Sequence, residues 1–538
     1  MKTGTGVAEA RAAGSRQLPS RSSRVLPTAI TLITVALTMG MTGSPEAMGG
    51  ETAEQTSVRQ GRSEAEMERL WDSVIHDKVQ DHGLEFPAVE GGADTDDPGT
   101  WRPPSPGIAS HTVLSHLSIL TRPVSSALKL LSVMTSAGLD DYVVVGPLPQ
   151  GSLPPLSEEE GMDLDRWEEE LDEITDTKST PGNIRLLIDG EEFFPRLEEA
   201  IAAAGESVDL QIYIYDNDDY ALQFSDLIRE RSKDLDVRII FDGLGSILAR
   251  GVYPKSIPDD HRPPASMSDY LREGSNVRVR RLANPWFTFN HTKSIIVDSG
   301  IAFLGGMNIG REYRYDWHDL MFEVHGPVIG PLGMDFESTW AYSGLLGDLS
   351  FLLRRSYRAR VLPGERYYPV RILRTTSRRA EIYLAQIAAV QRARKFIYIE
   401  NPYISDDRFL SELIRARRRG VDVRVVIPFR ANWPVMQRSN LLAANTMLEN
   451  GIKVYLYPRM SHLKAAVYDG WVCLGLANLD KGSLRFNREI NMATSDPEVT
   501  AEVMERIFDK DFEESTLMTD PRDTRLIDLI NELLADLL

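Results

Sequence analysis

The chain has 538 residues, too many for one ordinary domain of ~100–200 residues and enough for two substantial cores. Hydrophobic residues at 42% and charged residues at 26% exclude a wholly disordered or fibrous chain, and a formal charge of -19 excludes a general nucleic-acid binder, whose counterion-releasing face would be basic. The single cysteine, Cys473, excludes an internal disulfide and a cysteine-built zinc site, and its place in the apolar run Trp471–Leu474 predicts a buried thiol.

From the N-terminus, Arg11, Arg16, Arg21 and Arg24 precede an apolar stretch from Leu26 to Met41, shorter than the ~20 residues of a comfortable membrane span. Residues 1–47 therefore read as an export signal or N-terminal tether, which places the protein in the cell envelope. Residues 48–180 are a Pro/Gly-rich and acidic extension, loosely ordered, with one apolar segment of helical spacing, Val113–Ala137, predicted as a helix pair.

After Thr180 two stretches read alike. Phe194–Ile201, Val208–Tyr215, Leu222–Ile228 and Val237–Asp242 give helix, strand, helix, strand; so do Ala380–Ala388, Phe396–Glu400, Phe409–Ile414 and Val421–Ile427. The expected fold is α/β: a duplicated module at residues 181–345 and 346–538, with two mixed or mostly parallel sheets flanked by helices and related by a pseudo-twofold axis.

Each half ends in the same constellation. Asn290-His291-Thr292-Lys293 leads to Asp298, an apolar strand and Gly305-Gly306-Met307-Asn308; Ser461-His462-Leu463-Lys464 leads to Asp469, an apolar strand and Gly475-Leu476-Ala477-Asn478. With nine histidines in the chain, one His-x-Lys-x4-Asp match by chance is expected at roughly a few hundredths, so two at matching offsets are no accident. In extended chain, residues i and i+2 share a face, which projects His291 with Lys293 and His462 with Lys464. Asp298 and Asp469 fall at turns and are expected to be structural, holding each hairpin by side-chain hydrogen bonds.

Two histidines and two lysines brought together suit attack on a phosphodiester. One imidazole attacks phosphorus, the other protonates the leaving oxygen, and the lysines with Asn308 and Asn478 hold the nonbridging oxygens. No cofactor or metal is called for, and no HExxH, Cys/His cluster or EF-hand pattern supplies one. Downstream of each motif a carboxylate opens a new apolar strand, Asp319 after Trp317-His318 and Glu489 after Asn487-Arg488; these are candidates for orienting the imidazoles.

From about Gly182 to Leu538 the chain resembles the phospholipase D superfamily, and within it the bacterial cardiolipin synthase branch. The resemblance rests on the paired motifs, Leu186–Phe194, Phe241–Ser246, Ala302–Gly310 and Ala477–Asp480 with Ser483. It implies a two-step phosphatidyl transfer through a phosphohistidine, with His291 as nucleophile and phospholipid as substrate at a membrane surface. The alternative is a phospholipase D that hands the intermediate to water and yields phosphatidic acid. A nuclease is disfavoured by the acidic balance and the lack of interleaved aromatic and basic residues. Oligomeric state is not legible.

Three further signals complete the reading. Arg415, Arg417, Arg418 and Arg419 read as a solvated helix C-terminus, Glu400-Asn401-Pro402-Tyr403 as a pocket wall, and Leu526–Leu538 as an amphipathic helix with an acidic polar face that docks on the protein body.

Overall fold

The computed structural model describes His111, Ser115, residues 118–138 and residues 151–522, apart from positions 250–252, 255, 286–287, 345, 354–355 and 362–364. The expected export segment, the extension before residue 111 and the expected tail helix at 526–538 lie outside the described residues.

In the extension, the apolar stretch forms a short 3-10 turn, Ser118–Leu120, and helix α1, Pro123–Gly138. The acidic run that reads as loosely ordered contains helix α2, Leu164–Thr175, opened by the Asp163 carboxylate accepting from the Arg166 N–H. Its buried residues Trp167, Leu171 and Thr175 recur at helical spacing, and Trp167 meets Trp471 edge-on at 5.4 Å. Acidic composition therefore conceals a docked amphipathic helix.

The first half carries β1 (Thr180–Ile188), β2 (Ser207–Ile212), β3 (Asp236–Asp242), β4 (Arg278–Leu282), β5 (Ser294–Val297), β6 (Ile301–Gly305) and β7 (Leu320–His325). The second carries β8 (Tyr368–Thr376), β9 (Arg379–Ala380), β10 (Phe396–Glu400), β11 (Asp422–Pro428), β12 (Lys453–Tyr457), β13 (Ala465–Tyr468), β14 (Trp471–Gly475), β15 (Glu489–Thr494) and β16 (Thr516–Leu517). Strand order is β4-β3-β2-β5-β6-β7-β1 in one half and β12-β11-β10-β13-β14-β15-β8 in the other, with β16 on the β12 edge. Pairing is parallel from β2 to β4 and from β10 to β12, and antiparallel through the motif hairpins β5–β6 and β13–β14. The two expected sheets join into one sixteen-stranded sheet through β1 and β8, where Thr180–Gly182 pairs with Tyr368–Val370.

Helices α3 (Asp189–Ala203) and α4 (Asp219–Arg231) flank β2 in the chain; α5 (Ile329–Tyr342) follows β7; α6 (Glu381–Arg392) and α7 (Asp407–Arg418) flank β10. Asp218 and Asp406 cap α4 and α7 by accepting from the Ala221 and Phe409 N–H groups. Alternation along the strands divides the apolar side chains. Ile295 and Val297 join Phe193 and Leu197 under the helices of their own half, whereas Ile296 joins Leu463 and Val467 of the other. Leu304, Phe322, Leu474 and Met492 belong to that same shared core. At about 1.5–3 kcal/mol per buried side chain, it outweighs the short β1–β8 ladder at about 1 kcal/mol per hydrogen bond. The halves are held chiefly by apolar packing.

The Arg415–Arg419 cluster is not simply a solvated turn. Arg417 donates to the Pro154 and Gly451 carbonyls and Arg418 to the Gly151 carbonyl, so the helix end ties down the segment leading to α2. Cys473 is buried, and burial pushes its thiol up to about 12. Among the described residues, no helix is long and apolar enough to cross a membrane.

The two motif aspartates sit at left-handed positions, φ 50° for Asp298 and φ 52° for Asp469, where a short polar side chain is tolerated. They tie each hairpin turn to the strand beside it. Asp298 accepts from the Gly205, Glu206 and Ser207 N–H groups ahead of β2, at 2.8 Å each. Asp469 accepts from Arg394, Lys395 and Phe396 ahead of β10 and also from Met162 at the entry to α2. Asp298→Ala is expected to cost about 1–3 kcal/mol of stability, and Asp469→Ala more, because its loss also releases α2. Urea unfolding of both variants checks this; a wild-type midpoint for Asp469→Ala would remove the structural assignment.

Candidate active site

Residues 291–293 and 462–464 lie just ahead of β5 and β13, in irregular backbone rather than in the strands. Each is held by a parallel bridge to the opposite half. His291 N–H donates to the Arg488 carbonyl at 3.0 Å, and His462 N–H donates to the His318 carbonyl at 2.7 Å. The residue following each acceptor is the carboxylate that meets that same histidine. His291 Nδ1 lies 3.0 Å from Glu489 Oε2, and His462 Nδ1 lies 2.7 Å from Asp319 Oδ2. Each imidazole is thus oriented by a carboxylate from the other half, which leaves Nε2 as the nitrogen available for chemistry.

The lysines fold back on their own motifs: Lys293 Nζ donates to the His291 carbonyl at 2.9 Å and Lys464 Nζ to the His462 carbonyl at 2.5 Å. Tyr213 packs edge-on to the His291 ring at 4.7 Å, with Lys293 Nζ 5.1 Å from its own ring centre. On the other side Trp317 packs against His462 at 5.3 Å. Neither aromatic was singled out as a site residue by sequence. Tyr213 lies two residues beyond Gln211 at the end of β2, and Gly245 marks it: a Cβ there would meet the Tyr213 ring at 2.4 Å. Gly306 likewise leaves room for Asp319, since a Cβ would fall 2.0 Å from its Oδ1. Asn308 accepts from the Ile214 N–H and shares a hydrogen bond with Tyr313, whereas Asn478 bonds Asp480 and its Oδ1 has no partner.

Burial sets the electrostatics. Lys293, Asp319 and Glu489 are 0% exposed and His291, the most open of the six, is 9% exposed. Burial, helped by the two lysine charges, holds both imidazoles well below their ordinary range and therefore neutral. It drives both lysines down to about 7 against the pull of Glu489 and Asp319. It drives Asp319 up to about 7, and Glu489 well above the carboxylate range, against the lysine charges. Both lysines act on both histidines, so the two motifs converge on one site.

Behind His462 lies a second buried cluster that the spacing of the motifs does not announce. His318 Nδ1 meets Asp189 Oδ1 at 2.7 Å and its Nε2 meets Asp511 Oδ2 at 3.2 Å; Glu400 takes the Ser461 hydroxyl at 2.5 Å. Burial opposes charge on His318, but Asp189 and Asp511 hold it well above its ordinary value as an imidazolium. The atoms of His318, Glu400 and Asp511 lie within 4.8 Å of one another. Glu400 is therefore a buried support beneath the motif and not an open pocket wall.

A pair of α/β halves, each presenting a histidine and a lysine to one buried site and a carboxylate to the other's histidine, defines a phospholipase D-like enzyme. Residues 197–340 and 386–512 match the family described as "Cardiolipin synthase, PLD-like domain", and the chain belongs to that family. It is 30% identical over 382 residues to cardiolipin synthase A of Pseudomonas entomophila (strain L48), covering 66% of this chain and 74% of that one. Over 329 residues it is 28% identical to a cardiolipin synthase of Listeria monocytogenes serotype 4b (strain CLIP80459), covering 57% and 64%. Phosphatidylserine synthase of Haemophilus influenzae Rd KW20 shares the fold, with a TM-score of 0.52 at 15% identity over 70% of this chain and 99% of that chain.

The depressed lysines have a consequence for stability. Between about pH 7 and pH 10 the unfolded chain still binds the protons that folded Lys293 and Lys464 have released, so the contribution of these two groups to stability rises with pH over that window. Lys293→Met should lose its share of the rise. Chemical unfolding near both ends of the window measures it, and equal gains for wild type and variant would place that ammonium in water.

Proposed function

We propose that the chain is a phosphatidyltransferase of the cardiolipin synthase kind, exported or tethered through its N-terminal segment and working at a membrane surface. The observation that carries the reading is the crossed pairing of His291 with Glu489 and His462 with Asp319 inside a site that also buries Lys293 and Lys464. In the first step His291 Nε2 attacks the phosphorus of a phospholipid, and the bond to the headgroup oxygen breaks. His462 gives that oxygen its Nε2 proton while Asp319, raised to about 7, passes its own proton to Nδ1, and Glu489 lies against His291 Nδ1 as positive charge grows on that ring. In the second step His462, now a base, takes the proton of an incoming alcohol, whose oxygen displaces His291 from phosphorus. Both lysines, with Asn308 and Asn478, neutralise the nonbridging oxygens. Deep burial limits the access of bulk water to the phosphohistidine, which supports transfer over hydrolysis.

Purified protein supplied with phosphatidylglycerol is expected to give cardiolipin and free glycerol; phosphatidic acid without cardiolipin would convert the assignment to a phospholipase. Lys293→Ala and Lys464→Ala should each lower turnover by ~100-fold or more, about 3 kcal/mol, with the fold intact. The histidines should differ. His291→Ala should form no phosphoenzyme with any substrate, whereas His462→Ala should still form one from a nitrophenyl phosphodiester, whose leaving group needs no proton. Acid quench with mass spectrometry locates the adduct, and an adduct on His462 in the His291→Ala protein would reverse the two roles.

A further inference from the structure

A cavity of about 280 Å³ lies on the far side of the bridge that holds His291, near the lower bound of the ~300–1,000 Å³ typical of ligand sites. Its wall includes Asn290 and Arg488, the two residues of that bridge, and it is closed by Ser125 and Lys129 from α1. Helix α1 lies outside the residues that match the family, so this wall belongs to the chain's own extension.

The charges lining the cavity are unequal. Asp348 is used by α1 itself, accepting from the Val124 and Ser125 N–H groups and the Ser125 hydroxyl. Arg488 leans toward Asp335 at 3.6 Å, with its side chain 31% exposed. Lys129 is half-buried and, among the described residues, has neither a hydrogen bond nor an ion pair. Burial brings it down to about 8 against the attraction of Asp242, and its neighbours Arg488 and Arg122 repel it. The Ser377 hydroxyl, also on the wall, makes no hydrogen bond among the described residues. Asp242 attracts Lys129 from a distance but is itself taken by the Leu244, Gly245 and Asn290 N–H groups and the Asn284 amide, and an ammonium held from water beside a guanidinium with no carboxylate in contact is costly unless an anion joins it.

We propose that this cavity binds a phosphate group between Lys129 and Arg488, carried by a lipid headgroup or present as free phosphate. The lipid form rests on the transferase reading above; the free-phosphate form does not.

The full chain is compared as wild type, Lys129→Met and Lys129→Arg by thermal unfolding with inorganic phosphate and by turnover of phosphatidylglycerol vesicles. A water-soluble nitrophenyl phosphodiester reports the histidine site. Without phosphate, Lys129→Met should melt no lower than wild type, because an unpaired ammonium has gone. Phosphate should raise the wild-type and Lys129→Arg melting temperatures more than that of Lys129→Met. If a lipid headgroup is the ligand, KM for vesicles rises roughly five- to tenfold in Lys129→Met, with nitrophenyl phosphodiester turnover unchanged. If free phosphate is the ligand, only the melting response is lost. Lys129→Met equal to wild type in both arms overturns the site. A wild type that turns over neither lipid nor nitrophenyl phosphodiester defeats the histidine chemistry instead, and the melting response still judges the cavity.

Discussion

Six ionisable side chains are packed into one buried site, and no half of the molecule can neutralise its own share. Lys293 and Lys464 release their protons at about 7, Asp319 is raised to about 7 and Glu489 well above the carboxylate range by the same burial, and the two imidazoles are neutral. Burying any one of these charges alone would cost several kcal/mol. The cost is offset because each histidine finds its carboxylate in the other half, and each lysine lies in the field of both. Electrostatic balance at the site thus requires the shared apolar core around Ile296, Phe322, Val467 and Met492, and the backbone bridges at Asn290–Arg488 and His318–Ser461 set the register of the motifs across it. Fold and site impose the same condition, which is that both halves be present and in register.

Much of this was legible in the sequence because it follows from local periodicity. Period-two apolar runs gave the strands around each motif, helical spacing gave α3, α4, α6 and α7, and repetition of the whole pattern gave two halves of one α/β fold. The structure places the histidines with their carboxylates, but spacing within one half cannot show that the partner crosses over: Glu489 is 198 positions from His291, and only the fold brings them to 3.0 Å. The same limit hid Asp189, Glu400 and Asp511 around His318, since each comes from a separate element. Composition misled once. The Glu- and Asp-rich run at α2 looked loosely ordered because its few apolar residues, among them Trp167 and Leu171, are outnumbered by acids. Arg417 and Arg418 were read as solvent-facing because their partners are backbone carbonyls and, for Arg418, the Asn450 amide of a distant turn, which no local side-chain pattern records.

The halves agree at the motifs and diverge immediately behind them. Where the first half pairs Gln211 with Asn290, two neutral amides, the second pairs Glu400 with Ser461. Arg488 with Asp335 stands where the other side has His318 with Asp511 and Asp189. His462 therefore backs onto an imidazolium held by Asp189 and Asp511 beside a Glu400 raised by burial, and His291 onto a guanidinium with one carboxylate. The two histidines are held alike by burial and the two lysines, so the difference between them lies in these supports and in their carboxylates, Glu489 being raised further than Asp319. The difference in supports also accounts for where the spare space lies. One side fills the ground behind its bridge with paired charges; the other leaves a cavity bordered by Arg488, and the extension has placed a lysine there.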